Sequence, residues 1–157
     1  MLKRVRKRKG KQPAAGHFAI VASQYNARYV NAMLAAAQKT LNKAGAERVV
    51  TIRVPGAYEI PVVAARLAHR HWPRLSAIIC LGVILRGATA HAQHIGEAVS
   101  QALAQIQIQH EIPVIHEVLL LENHAQARER CLGKNHNRGI EAAQTALAMA
   151  RVMDGLP

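Results

Sequence analysis

Residues 77–91 read Ala-Ile-Ile-Cys-Leu-Gly-Val-Ile-Leu-Arg-Gly-Ala-Thr-Ala-His, and this stretch decides the fold. The uncharged run Ala77–Leu85 is far shorter than the roughly 18 apolar residues a membrane span requires. A continuous apolar run of this length is what a central strand covered on both faces demands, so we expect a strand here. Arg86-Gly87-Ala88-Thr89-Ala90 then reads as a turn. From about His91 to His110 the apolar residues Ile95, Val99, Leu103 and Ile106 fall on one helical stripe. Strand, tight turn and helix follow one another without a linker.

Working outward, the same alternation recurs on both sides. His17 to Ser23 reads as a buried strand. Ala27 to Ala44 is a helix with Val30, Met33, Leu34, Ala37 and Leu41 at helical spacing, ended by Gly45. Val49 to Val54 is a second strand, closed by Pro55-Gly56. Glu59 to about His71 is a second helix that tolerates Pro61 in its first turn. Pro113 to Leu120 is the fourth strand, and helices over Glu122–Cys131 and Arg138–Met153 follow, separated by a loop at 132–137. Strands alternating with helices imply right-handed crossovers and a parallel sheet. The expected fold is therefore α/β, a three-layer α/β/α sandwich on a four-stranded parallel sheet. In such sheets ligands bind at the carboxyl ends of the strands. That rule singles out Gln24-Tyr25-Asn26, Pro55 to Glu59, Gly87 to His91, and His116 onward.

The chain has 157 residues, enough for one domain with a sizeable core. Its formal net charge is +12, unevenly placed. Lys3, Arg4, Arg6, Lys7, Arg8, Lys9 and Lys11 carry seven of the 21 basic side chains, leaving fourteen against nine acidic residues from Gln12 onward. Residues 1–15 are thus expected to be a basic, disordered tail and residues 16–157 the folded domain. The tail could draw weakly on RNA or another polyanion. No apolar stretch follows it at the spacing of a secretory signal. The two cysteines, Cys80 and Cys131, have no metal-site or disulfide spacing, which points to a reducing cytoplasm, and the lack of any span-length apolar run points to no membrane. The nine histidines form no HExxH or comparable pattern, so no metal is expected.

Three segments could carry chemistry. After the strand ending at Leu85, the N–H groups that open the next helix form an anion site suited to a phosphate. Thr89 would either cap that helix or give its hydroxyl to the phosphate. His91 would sit at the positive end of the helix dipole, which favours a neutral imidazole able to accept a proton. A strand-to-helix turn often needs Gly and Thr for structure alone, and that simpler reading stands beside this one. In Val54-Pro55-Gly56-Ala57-Tyr58-Glu59-Ile60-Pro61, Glu59 is either a carboxylate favouring the helix start or, with Ala57 and Tyr58, a hydrogen-bonding edge for a heterocycle or polyol. Tyr25, one of five aromatic residues, could stack on a flat ring. Arg128, Arg130, Lys134 and Arg138 form a cationic run that is either a solvated face or a phosphate clamp.

Taken colinearly, these segments resemble lumazine synthases. The matching residues are Tyr25-Asn26, the run 54–61, Gly82-Val83-Ile84-Leu85-Arg86-Gly87-Ala88-Thr89, His91, Ile112 to Ile115, Glu122-Asn123, Arg130 and Asn137-Arg138-Gly139. The resemblance spans about Gly16 to Met153. It implies a flavodoxin-like sandwich and an enzyme that condenses 5-amino-6-(D-ribitylamino)uracil with 3,4-dihydroxy-2-butanone 4-phosphate, without a cofactor. The products are 6,7-dimethyl-8-ribityllumazine, phosphate and water, at the penultimate step of riboflavin biosynthesis. By the same resemblance Tyr25, beside Asn26, stacks on the pyrimidine, and Ala57, Tyr58 and Glu59 hold the ribityl chain. Val83 and Ile84 lie against the heterocycle, Gly87, Ala88 and Thr89 receive the phosphate, Arg130 is its counter-charge, and His91 shuttles protons. His116 and Arg138 complete the substrate-binding set. His116 stands where many members carry phenylalanine, Ala90 where Thr or Pro is frequent, and Arg138 where lysine is common. The resemblance further implies homo-oligomers built on pentamers (a pentamer, a decamer or a sixty-subunit shell) with sites between subunits, Arg130 and His116 coming from the neighbour. Two other readings compete. One is a non-catalytic oligomeric scaffold binding RNA or flavin-like ligands, although the folded body lacks the interleaved aromatics of an RNA binder. The other is a flavodoxin-like phosphate-binding enzyme of another pathway, which explains the fold but not the colinear motifs.

Overall fold

The structure is a computed structural model that describes residues 16–70 and 73–157. The basic tail expected over residues 1–15, its disorder and its polyanion contact lie outside the described residues, as does His71 at the expected end of the second helix.

Nine main elements follow the expected alternation. They are β1 (His17–Ser23), α1 (Ala27–Lys43), β2 (Arg48–Val54), α2 (Ile60–His69), β3 (Ala77–Leu85), α3 (His91–His110), β4 (Val114–Leu121), α4 (His124–Cys131) and α5 (Arg138–Asp154). The strands form one parallel sheet in the order β2-β1-β3-β4. β1 and β3 are central, which is why their runs are almost uninterruptedly apolar and buried. β2 lies at an edge, and its Arg48 and Arg53 are exposed.

Strand side chains alternate between faces, and the two halves of the core follow that period of two. Phe18, Ile20 and Ala22 of β1, with Ile79, Leu81 and Val83 of β3, pack under α1, α4 and α5. Val21 of β1, with Ile78, Cys80 and Ile84 of β3, packs under α2 and α3. Three layers result, as the sequence implies. Burial pushes the Cys80 thiol up to about 12 and the Cys131 thiol up to about 11, so both are protonated packing residues.

The end of α1 agrees with the sequence reading. Gly45 closes α1 with φ 84, its N–H bonding the Asn42 carbonyl while the Ala46 N–H bonds Leu41, a left-handed stop that favours glycine. The start of α2 differs from expectation. Glu59 does not open the helix; it ends a single 3-10 turn, Ala57–Glu59, and α2 begins at Ile60 with Pro61 in its first positions. The cause is local: Glu59 Oε2 accepts the Gly56 N–H at 2.9 Å and draws the turn closed. The fourth helix likewise starts later than Glu122, because the Asn123 side chain accepts from Gln126 N–H and caps α4 there.

Candidate active site

A cavity of about 690 Å³ opens at the carboxyl ends of β1 and β3, where the sheet rule places a ligand. Val83 and Ile84 contribute its apolar floor, both nearly inaccessible to solvent. His91 stands at one side, at the start of α3, and Tyr25, Asn26, Ala57, Tyr58 and Glu59 at the other. Eight of the fourteen residues singled out in the sequence therefore line one space.

Backbone chemistry locks these loops together. The Gln24 and Tyr25 N–H groups bond the Val54 and Pro55 carbonyls at 2.8 and 3.0 Å, so the loop after β1 is sewn to the loop after β2. Arg53 reinforces the join, donating from Nη2 to the Ser23 carbonyl at 2.9 Å and from Nη1 to Asn31 Oδ1 at 2.8 Å. Asn26 adopts φ 57, a left-handed conformation that asparagine tolerates better than most residues. Its Nδ2 donates to the Val83 carbonyl at 2.7 Å, pinning the loop over the end of β3. That amide hydrogen is thereby engaged, so Asn26 shapes the cavity as much as it lines it.

The Tyr25 ring passes directly over Gly56, where a Cβ would come within 2.9 Å of two ring carbons. Only a glycine leaves room for the ring in that position. Both Tyr25 and Tyr58 remain largely exposed, 68% and 64%, despite their apolar rings. Two exposed phenol rings beside an apolar floor form a surface on which a planar heterocycle can stack. The Glu59 carboxylate, half engaged by Gly56, keeps further acceptor capacity for hydroxyls.

Gly87, Ala88 and Thr89 form the turn before α3 and adjoin the cavity without lining it. Thr89 Oγ1 faces the His91 N–H at 3.4 Å, a long capping contact that leaves both roles foreseen for this hydroxyl compatible with its position. Gly87 is not required by the turn. Its backbone lies outside the left-handed region, and an added Cβ would meet nothing within 4 Å. The open space in front of it leaves the helix-opening N–H groups accessible to an anion. Arg86, next in sequence, is held away by Glu122 Oε1 and Gln93 Oε1, each at 2.9 Å.

The remaining three residues lie elsewhere. His116 and Arg130 line a separate cavity of about 450 Å³ beside β4, with Val118, Leu119, Leu120, Leu121 and Gln126. His116 Nδ1 accepts the Val118 N–H at 3.1 Å, so in the neutral ring the hydrogen is on Nε2 and donates to Ser100 Oγ at 2.7 Å. Ser100 in turn donates to the Gly96 carbonyl at 2.8 Å. The serine is therefore the acceptor of its histidine and is not activated as a nucleophile. His116 keeps an exposed edge, yet burial of the ring holds its pKa below the ordinary 6.5. No hydrogen bond or ion pair engages Arg130 among the described residues.

Arg138 is differently committed. Its guanidinium grips the buried Glu117 carboxylate through two bonds of 3.0 and 3.1 Å and reaches Glu141 at 2.7 Å. Burial pushes the Glu117 carboxyl above the usual carboxylate range, and the Arg138 hydrogen bond and charge only partly offset it. Arg138 thus stands as an internal counter-ion in this structure. Glu117 escaped the sequence reading because its need for a partner appears only when β4 packs against α5. His94 also escaped it, although its spacing three residues after His91 was a sufficient signal. Among the described residues no group of three His, Cys, Asp or Glu side chains is placed to hold a metal ion. None of the described helices is long and apolar enough to cross a membrane.

The family model for 6,7-dimethyl-8-ribityllumazine synthase matches residues 15–154. The chain belongs to the lumazine synthase family. The 6,7-dimethyl-8-ribityllumazine synthase of Stenotrophomonas maltophilia strain R551-3 is 38% identical over 147 residues, covering 92% of this chain and 94% of that protein. Relatives of the same name from Xanthomonas oryzae pv. oryzae strain PXO99A and Xanthomonas campestris pv. campestris strain B100 are 38% and 37% identical. Each covers 93% of this chain and 95% of the relative. Lumazine synthases are transferases of riboflavin biosynthesis, and this chain is an enzyme of that class.

Proposed function

We propose that the chain condenses 5-amino-6-(D-ribitylamino)uracil with 3,4-dihydroxy-2-butanone 4-phosphate to form 6,7-dimethyl-8-ribityllumazine and phosphate. Water is released once at the imine and once at ring closure. The observation that carries this reading is the single cavity lined by Tyr25, Ala57, Tyr58, Glu59, Val83, Ile84 and His91. The pyrimidine stacks against Tyr25 over the floor of Val83 and Ile84, and the ribityl hydroxyls bond the edge made by Ala57, Tyr58 and Glu59. The phosphate sits before Gly87, Ala88 and Thr89 at the opening of α3, and His91 transfers protons. Arg130 supplies the phosphate's counter-charge. It lies in a different cavity of the same chain, so the arrangement is complete only when a neighbouring copy brings its own Arg130 and His116. A pentamer-based homo-oligomer follows from this reading.

Holding two reactants in register is worth roughly 7–11 kcal/mol of barrier, whereas one general acid–base group contributes on the order of 10²–10⁴-fold. His91→Ala is therefore expected to slow turnover without abolishing it. The test is to incubate the full chain with both substrates and follow lumazine absorbance and fluorescence beside an Arg130→Ala variant. Product from the wild type with severe loss in the variant supports the reading. A folded, assembled wild type that forms no product refutes it.

A further inference from the structure

His94 follows His91 by three residues on α3, and both imidazoles line the 690 Å³ cavity. Residues at that spacing on a helix are neighbours, with Cβ atoms about 5–6 Å apart. Both histidines are exposed in the single chain, so each is accessible to a ligand. Nothing in the packing requires a second imidazole there, because α3 buries Ala92, Val99, Leu103 and Ile106 and leaves position 94 out.

We propose that His94 is a second proton-transfer residue of this site, working as the acid where His91 works as the base. The inference rests on the condensation reading above. Its logic is that the chemistry needs an acid and a base at once. When the pyrimidine amine attacks the ketone, a C–N bond forms, the nitrogen must lose a proton and the carbonyl oxygen must gain one. The resulting hydroxyl then leaves as water by taking a further proton while the nitrogen lone pair closes the C=N bond. Removal of a C–H proton next to that imine carbon pushes out the phosphate with its bonding electrons. One imidazole cannot give and take at the same moment; two imidazoles sharing one proton can.

Their positions on the helix divide the roles. The helix dipole opposes a positive charge most strongly at the first residue and fades within the first turn. His91 opens α3, where the dipole suits a proton acceptor, and His94 lies almost one turn along, where a proton donor is better placed. The other ionisable groups do not upset this assignment. Glu59, across the cavity, is engaged by the Gly56 N–H. Arg86, in the preceding turn, is held by Glu122 and Gln93, and Glu97 accepts from Gln93.

The experiment compares wild type, His94→Gln, His94→Phe and His91→Gln, each checked for assembly, in kcat, KM and the pH profile of kcat from 5.5 to 8.5. Two His94 variants guard against a fault of one side chain. Both should lose roughly 100-fold or more in kcat with little change in KM, within the 10²–10⁴-fold range of one general acid. They should also lose the alkaline fall of kcat, which reports deprotonation of the acid, while His91→Gln loses the acidic limb. Wild-type turnover with unaltered kcat and pH profile in the His94 variants overturns this role alone. A rise in KM without change in kcat or profile overturns it as well, and leaves His94 a wall of the cavity. Absence of product from the assembled wild type overturns the condensation reading and this role with it.

Discussion

Replacing Gly139 by alanine tests the packing that carries the second half of the fold. Gly139 is the second residue of α5, where α5 crosses α1. An added Cβ would lie 2.6 Å from the Met33 carbonyl carbon, 2.7 Å from its Cα and closer still to its carbonyl oxygen. All three are backbone atoms, so no rotamer change relieves the clash. Reaching ordinary contact at 3.4 Å from the nearest of these atoms, the carbonyl oxygen, requires the helices to part by more than about 1 Å. A gap of roughly 0.5–1 Å already forfeits a quarter to a half of each dispersion contact along a seam. This seam includes the fully buried Met33, Ala37, Ala142, Ala143 and Ala146. The expected cost is about 3 kcal/mol, the upper end of the overpacking range. In an open helix the same substitution would instead stabilise by up to about 1 kcal/mol, so the sign itself discriminates. Urea denaturation at one fixed protein concentration, followed by circular dichroism, should show a lower midpoint at unchanged slope. A midpoint equal to or above that of the wild type refutes the close crossing.

Three further outcomes are expected. Arg138→Ala strands the Glu117 carboxylate and should destabilise by about 1–2 kcal/mol at pH 7.5, less than a fully buried pair because the guanidinium side chain is 34% exposed. Glu117 already has a raised pKa and loses its partner, so the ionised form is penalised as pH rises; the deficit should shrink at pH 5, and an equal deficit in melts at both pH values contradicts the pairing. His116 has a pKa held below 6.5, so as pH falls below 6.5 the unfolded chain binds a proton there before the folded chain does and stability is lost. His116→Phe should therefore show a smaller loss of melting temperature between pH 7.5 and 5 than the wild type, and parallel curves would count against it. Gly87→Ala meets open space and should leave the melting temperature unchanged while raising KM for the phosphate-bearing substrate severalfold; a stability loss would show that the glycine serves the turn after all.

The fold was legible because its signals are local and periodic. The run at 77–85 has one reading in a structured chain, and Gly45 marks the end of α1 by its own backbone chemistry. The cavity was legible to the extent that its residues follow directly after strands. What could not be read depends on contacts distant in sequence. Arg138 and Glu117 are 21 residues apart, and Ser100 and His116 are 16 apart. Neither pairing has a local signature, since each arises where a helix is laid on β4. The start of α2 was misplaced for the opposite reason, a contact too local for periodicity to register: Glu59 bonding back to Gly56. His94 was available from helical spacing, but a motif read as a string of letters draws attention to His91 and away from the face of the helix.

The division of charge between the two cavities bears on how the enzyme would work. The large cavity has an apolar floor, two phenol rings and two imidazoles, and its arginine neighbour Arg86 is neutralised by Glu122. A phosphate arriving there meets no arginine or lysine of this chain, only the Thr89 hydroxyl, the imidazoles and helix N–H groups whose dipole is worth roughly 0.3–1 kcal/mol at an exposed site. Arg138, the cation that could have compensated, is bound between Glu117 and Glu141. Arg130 is left without an ion pair among the described residues, on the far edge of the chain beside the neutral ring of His116. On the proposed reading a lone subunit would hold the heterocycle and fail to hold the phosphate, so the phosphate-bearing substrate would lose affinity on dilution before the pyrimidine did. Titrating each substrate separately against protein diluted through its dissociation range measures this difference. Equal weakening of both would mean that Arg130 does not reach across to its neighbour's site.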